Sequence, residues 1–248
     1  MNAWPFLALA LFAAVMAGSG PLAGADGPTP YPDPKDESAW PGQGPIRCFP
    51  YMAGERKAFW ARRAQDQGTV VFAGDSLVGG WKDLGAAFPK LHIANRGVGG
   101  DTSRGILFRF QEDVVDLHPA AVVITAGAND LSAHGEPAGT LVNIAAMVAL
   151  LRKGDPQVAI VLCTIPPQTI SGSADVPGAR QDLRSRILAF ATGKERIVAV
   201  DLFPLFATAK GKPDPELFNQ DLVHPNDAGH VKWAAALRPV FAQLHLGE

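Results

Sequence analysis

The chain has 248 residues, of which 47% are hydrophobic and 19% charged, enough apolar material to build one sizeable core in a single domain. Its formal net charge is -2, and no block of like charge interrupts the sequence. That balance excludes a general affinity for nucleic acid or for an anionic membrane surface.

Residues 1–25 contain no Asp, Glu, Lys or Arg, and 6–17 form a continuous apolar run. Ala23-Gly24-Ala25 then supplies the small-x-small pattern that a signal peptidase accepts, although only the α-amino group provides positive charge at the start. The run is shorter than the roughly 20 residues needed to span a bilayer. The expectation is a leader cleaved after Ala25, a secreted or periplasmic protein, and no stable membrane insertion once it is removed. No Cys lies near the cut, so a lipoprotein anchor has no attachment atom.

Residues 26–50 are dense in Pro and Gly, including Pro28, Pro30, Pro32, Pro34, Pro41 and Pro45. They read as an irregular arm, either flexible or laid over the domain that occupies 51–248. A helix is expected over 55–67, with Phe59, Trp60 and Ala64 on one face. Beyond it, short apolar runs at 69–73, 91–94, 120–125, 158–163 and 197–200 read as buried strands. Amphipathic stretches at 103–117, 137–153, 178–192 and 227–244 read as helices between and after them. The expected fold is a three-layer α/β domain with a five-stranded parallel sheet and right-handed crossovers. Ligands then bind beyond the carboxyl ends of the strands.

Cys48 and Cys163 are the two cysteines, and in an oxidising compartment they could pair. Cys163 ends an apolar run, where a free Cys serves as a small hydrophobe. Nothing has metal-ligand spacing, and no metal or cofactor is expected.

Four segments follow strand ends or precede the last helix. Gly74-Asp75-Ser76-Leu77 is either a turn with a helix N-cap or a nucleophile at a helix start. The glycine-rich 97–102 puts Thr102 where a dinucleotide fingerprint needs its third glycine, so a phosphate loop fits poorly. There Gly100 either permits a tight turn or exposes a backbone N–H to a developing oxyanion. Asn129, in Gly127-Ala128-Asn129-Asp130, is a turn residue or an oxyanion donor through its side-chain amide. Asp221-Leu222-Val223-His224 has a spacing that lets carboxylate and imidazole converge from one loop.

Taken together in this order, the four segments resemble the blocks of the SGNH (GDSL-type) hydrolases over roughly residues 68–243. Within that family, Gly99-Gly100-Asp101-Thr102 followed by a long helix is similar to the platelet-activating-factor acetylhydrolase and bacterial acetyl esterase branch. The resemblance implies a flavodoxin-like fold and a Ser76-His224-Asp221 triad. It also implies an oxyanion hole made by the Ser76 N–H, the Gly100 N–H and the Asn129 amide. The Gly-x-Ser-x-Gly elbow of α/β-hydrolases is absent. The implied activity is acyl-enzyme hydrolysis of small acyl esters, with O-acetyl groups on carbohydrate as the expected substrates. A lysophospholipase, thioesterase or acyltransferase using the same triad is the alternative. Trp81 is a sugar platform or a core residue, and His134, Glu136 and Gln168 are candidates for the pocket edge.

Overall fold

The computed structural model describes residues 27–169 and 178–247, and the leader read over 1–25 lies outside them. Five strands, β1 (Val70–Gly74), β2 (Ile93–Gly97), β3 (Ala121–Thr125), β4 (Ala159–Cys163) and β5 (Ile197–Val200), form one sheet in the order β2-β1-β3-β4-β5. All neighbouring pairs are parallel. This is the flavodoxin-like order, in which the chain reverses direction between β1 and β3 and opens a crevice at their carboxyl ends. Strands β1, β3 and β4 are buried at every position, which is why their sequences run without alternation.

Strand β2 begins two residues later than the apolar pattern indicated and continues through Asn95 and Arg96. A polar pair at that position reads as loop, yet Arg96 is 2% exposed and its Nη2 lies 2.7 Å from the buried carboxylate of Asp66. A paired, hydrogen-bonded guanidinium fits a sheet interior where an isolated charge would not.

On one face of the sheet α4 (Ser103–Asp113), α6 (Pro137–Gly154) and α7 (Ala179–Ala191) pack side by side. The other carries α9 (Asp227–Gln243) with the short α8 (Leu202–Phe206). Under α9, Phe72 of β1 meets Phe241 edge-on at 6.3 Å, and Trp81 packs on the fully buried Trp233 at 5.3 Å. Truncating any one of these four aromatics to Ala would cost about 3–5 kcal/mol.

The first helix, α1, spans Pro50–Arg62 rather than 55–67. Pro50 sets its start, because proline is pre-organised for the first helical turn and has no N–H to leave unsatisfied. Its buried positions are Met52 and Arg56, one turn apart, while Ala64 is exposed beyond its end, so the expected Phe59/Trp60/Ala64 face does not exist. The arm before α1 is laid over the domain. Arg104 of α4 donates to the carbonyls of Glu37, Trp40, Pro41 and Gly44. Asn143 of α6 both accepts from the Gln43 N–H at 2.8 Å and donates to its carbonyl at 2.7 Å. Trp40 is buried between Tyr31 and Phe108. Both cysteines are unpaired thiols, and Cys163 is a buried strand residue whose thiol burial pushes up to about 12.

Candidate active site

The turn that ends β1 carries Asp75, whose Oδ1 accepts the Leu77 N–H at 2.9 Å and so caps α2 (Ser76–Gly79). Ser76 is the first residue of that helix, so its N–H has no intrahelical acceptor. α2 lies directly on β2: a Cβ on Gly97 would overlap the Gly79 backbone, which leaves glycine as the side chain that fits there. The chain then turns at Gly100, φ +74°, and among the described residues the Gly100 N–H meets no intramolecular acceptor. Thr102 caps α4 by accepting the Gly105 N–H at 3.3 Å.

From β3 the chain passes through Gly127 into α5 (Ala128–Ser132), which carries Asn129 and Asp130. The Asn129 amide is held on three sides. Its Nδ2 donates to the Asp101 carbonyl at 3.0 Å and, more weakly, to Asp75 Oδ2 at 3.3 Å, and its Oδ1 accepts from Arg47 Nη1 at 2.9 Å. Asp130 accepts the Ser103 N–H at 2.8 Å and the Ser103 hydroxyl, tying the turn after β3 to the start of α4. Asp101 is paired with Arg109 at 2.8 Å.

The loop before α9 completes the arrangement. Leu222 adopts φ +53°, which turns the chain so that the N–H groups of Val223 and His224 both reach Asp221 Oδ1, at 2.9 and 3.0 Å. Asp221 Oδ2 lies 2.7 Å from His224 Nδ1, and His224 Nε2 lies 2.8 Å from Ser76 Oγ. Burial alone would raise the Asp221 carboxyl, but the bonds from the His224 ring and from the two N–H groups outweigh it and hold the group below the ordinary carboxylate value. A carboxylate ionised there keeps the ring proton on Nδ1 and leaves Nε2 as the acceptor for the serine hydroxyl.

Beneath the serine the balance is reversed. Burial raises Asp75 to about 7, with the Leu77 N–H and His224 opposing and Asp130 and Asp101 adding to it. Burial likewise raises Asp101 to about 6 against the pull of Arg109. Three carboxyl groups thus sit buried under the turn that holds Ser76.

A cleft of about 360 Å³ opens over Ser76 and His224, bounded also by Glu55, Gly99, Asn219 and His230. Three residues of the arm and α1 border the site, two at the glycine turn and one at Asn129, and no sequence pattern marks them. These are Arg47, Phe49 and Tyr51; the Tyr51 hydroxyl donates to the Gly99 carbonyl at 2.9 Å, and Phe49 stacks on Tyr51 at 5.7 Å. A lone Arg and two aromatics in a Pro-rich stretch carry no pattern that marks them.

Of the sequence candidates, Ser76, His224 and Asp221 form one hydrogen-bonded chain; Asn129 is held beside it by Asp75 and the Asp101 carbonyl, and Gly100 sits in the turn beyond β2, neither of these two lining the 360 Å³ cleft. The other four fall elsewhere. Trp81 is a core residue, 3% exposed, with the His230 ring stacked over it at 4.8 Å and 5°. His134 and Glu136 are exposed and do not line the cleft. Gln168 donates to the Val223 carbonyl at 3.3 Å and so braces the His224 loop from behind.

Residues 64–232 match the model of the GDSL-like lipase/acylhydrolase family. The chain is 29% identical over 231 residues to platelet-activating factor acetylhydrolase IB subunit alpha1 of Bos taurus, covering 89% of this chain and 90% of that protein. It is similar in structure to a GDSL-like lipase from Bacteroides thetaiotaomicron, with 27% identity, a TM-score of 0.65, and coverage of 75% of this chain and 97% of that one. A carbohydrate esterase family 3 protein from Talaromyces cellulolyticus shares the fold at 19% identity and a TM-score of 0.53, covering 71% of this chain and 96% of its own.

Proposed function

The chain belongs to the GDSL-like lipase/acylhydrolase family and is a carboxylester hydrolase; from that premise we propose that it is an exported serine esterase that removes short acyl groups, acetyl foremost, from carbohydrate. The observation that carries the chemistry is the Ser76 Oγ to His224 Nε2 distance of 2.8 Å, continued by 2.7 Å from Nδ1 to Asp221.

Ser76 Oγ gives its proton to His224 Nε2 and attacks the ester carbonyl, and Asp221 stabilises the imidazolium that forms. The carbonyl oxygen becomes an oxyanion facing the N–H groups of Ser76 and Gly100. The Asn129 amide joins them by giving up its long contact to Asp75. Collapse of the tetrahedral adduct breaks the bond to the alcohol oxygen, which takes the proton from His224. Water then enters, passes a proton to His224, and attacks the acyl carbon. The acid leaves as the proton returns to Ser76.

The cleft's size of about 360 Å³ suits a short acyl group, and its walls mix glycines, Leu77 and Pro225 with an amide, two imidazoles and a carboxylate. The relative from Bos taurus is named for acetyl hydrolysis, which agrees with that size. Export rests on the uncharged apolar stretch ahead of Ala25.

A series of p-nitrophenyl esters tests the acyl preference. The expected order is acetyl fastest, butyryl slower and octanoyl slowest in kcat/KM. A rate that climbs toward octanoyl would overturn it.

A further inference from the structure

The catalytic cleft does not end at His224. A second cavity of about 510 Å³ adjoins it, and the two share Gly80, Asn219, Pro225 and His230. We propose that this second cavity is the subsite for the leaving alcohol, and that it takes a sugar ring laid across His230. The inference rests on the serine-esterase reading above and says where the two halves of the ester go.

His224 Nε2 must protonate the departing oxygen, so the alcohol lies on the His224 side of Ser76. The oxyanion lies on the other side, toward the Gly100 N–H. On that side Phe49 and Tyr51 crowd Gly100, and Arg47 crosses over Asn129. Arg47, Gly100 and Asn129 line neither cavity, whereas Pro225, next in sequence to His224, lines both. The open path from the serine therefore runs past His224 and over His230.

The chemistry of that path fits a hydroxyl-rich ring. His230 presents a flat imidazole, fixed by its stacking on Trp81 at 4.8 Å and 5°. Trp81, read as either a platform or a core residue, is core, and the ring exposed to the cavity is the His230 imidazole that covers it. Around it stand Lys82, Asp83 and Asp227, none of which forms a salt bridge among the described residues. Asp83 precedes a helix without capping it, which leaves its carboxylate for a ligand hydroxyl. Between these polar groups lie the small apolar surfaces of Ala86 and Val231. Charged acceptors and donors at the edges with C–H surface between them match a sugar, whereas a lipid tail would leave the charges unpaired.

The test compares two acetyl esters, p-nitrophenyl acetate, whose leaving group has no sugar hydroxyls, and acetylated xylo-oligosaccharide. The readout is the ratio of kcat/KM on the oligosaccharide to that on the aryl ester. His230→Ala should lower this ratio at least about tenfold, and Asp83→Ala, an exposed residue, about threefold, both mainly through KM on the oligosaccharide. A ratio unchanged in both variants overturns the subsite. So does an equal fall on both substrates, which would make His230 a structural prop. Wild-type enzyme that cleaves the aryl ester but frees no acetate from the oligosaccharide overturns the sugar assignment and leaves the serine esterase standing. Wild-type enzyme inactive on both overturns the esterase reading itself.

Discussion

Arg47 Nη1 donates to Asn129 Oδ1 at 2.9 Å across 82 residues of sequence. The bond fixes which end of the amide carries the hydrogens, and a cation on the oxygen makes the N–H groups stronger donors. Arg47 is thus a positioning residue acting through Asn129. Arg47→Ala is expected to lower kcat on p-nitrophenyl acetate about tenfold with KM little changed, and Arg47→Lys should recover part of the loss. Asn129→Ala should lose about 10²–10³ in kcat. The double variant should be no slower than Asn129→Ala, because both act at one point. Steady-state kinetics on the four proteins decides it, and additive losses would place Arg47 elsewhere in the reaction.

The arm that carries Arg47 is held by Arg104, which is 7% exposed and bonded to four arm carbonyls. Arg104→Ala removes those bonds together and leaves a gap beside Trp40. A loss of about 2–4 kcal/mol in unfolding free energy is expected. Limited proteolysis should cut the variant within residues 37–47 before the wild type. Resistance equal to the wild type would mean that Trp40 and Asn143 hold the arm without it.

Burial holds Asp75 at about 7 in the folded protein against an ordinary 3.8. The folded state therefore binds that proton more tightly than the unfolded chain. Its contribution to stability is full below about pH 4 and is lost as pH rises through about 7. Asn at this position does not titrate. Between pH 5 and pH 8 the stability of Asp75→Asn relative to wild type should move in the variant's favour by on the order of 2 kcal/mol. Urea unfolding at the two pH values measures it, and a constant difference would mean that Asp75 is ionised throughout.

The sheet was legible because β1, β3 and β4 are buried on both faces and so read as unbroken apolar runs. The Ser76, Gly100 and Asp221/His224 segments were legible for a related reason: a parallel sheet delivers strand ends to one edge, so order along the chain becomes proximity. Strand β2 runs beyond its apolar pattern because Arg96 is a charged residue inside the sheet, and a sequence does not show that Asp66 waits 30 residues away to pair with it. The start of the first helix is hidden in the sequence because Pro50 reads as the last proline of the arm when it is the first residue of α1. Arg47 and His230 were invisible for another reason. Their roles depend on contacts with Asn129 and Trp81 across the fold, and neither lies in a repeating or spaced pattern. Asp75, Asp101 and Asp130 were visible as letters of the motif blocks, yet what they do, capping, pairing and tying turns together from below, emerges from the packing.

Covalent labelling shows whether Ser76 is the nucleophile. The protein is treated with a fluorophosphonate, digested, and the modified peptide read by mass spectrometry while residual p-nitrophenyl acetate hydrolysis is followed. One adduct is expected, on Ser76, appearing in step with loss of activity, and a Ser76→Ala variant should take no label and be slower by about 10⁴ or more. An adduct on another residue, or a Ser76→Ala variant hydrolysing at the wild-type rate, would contradict it.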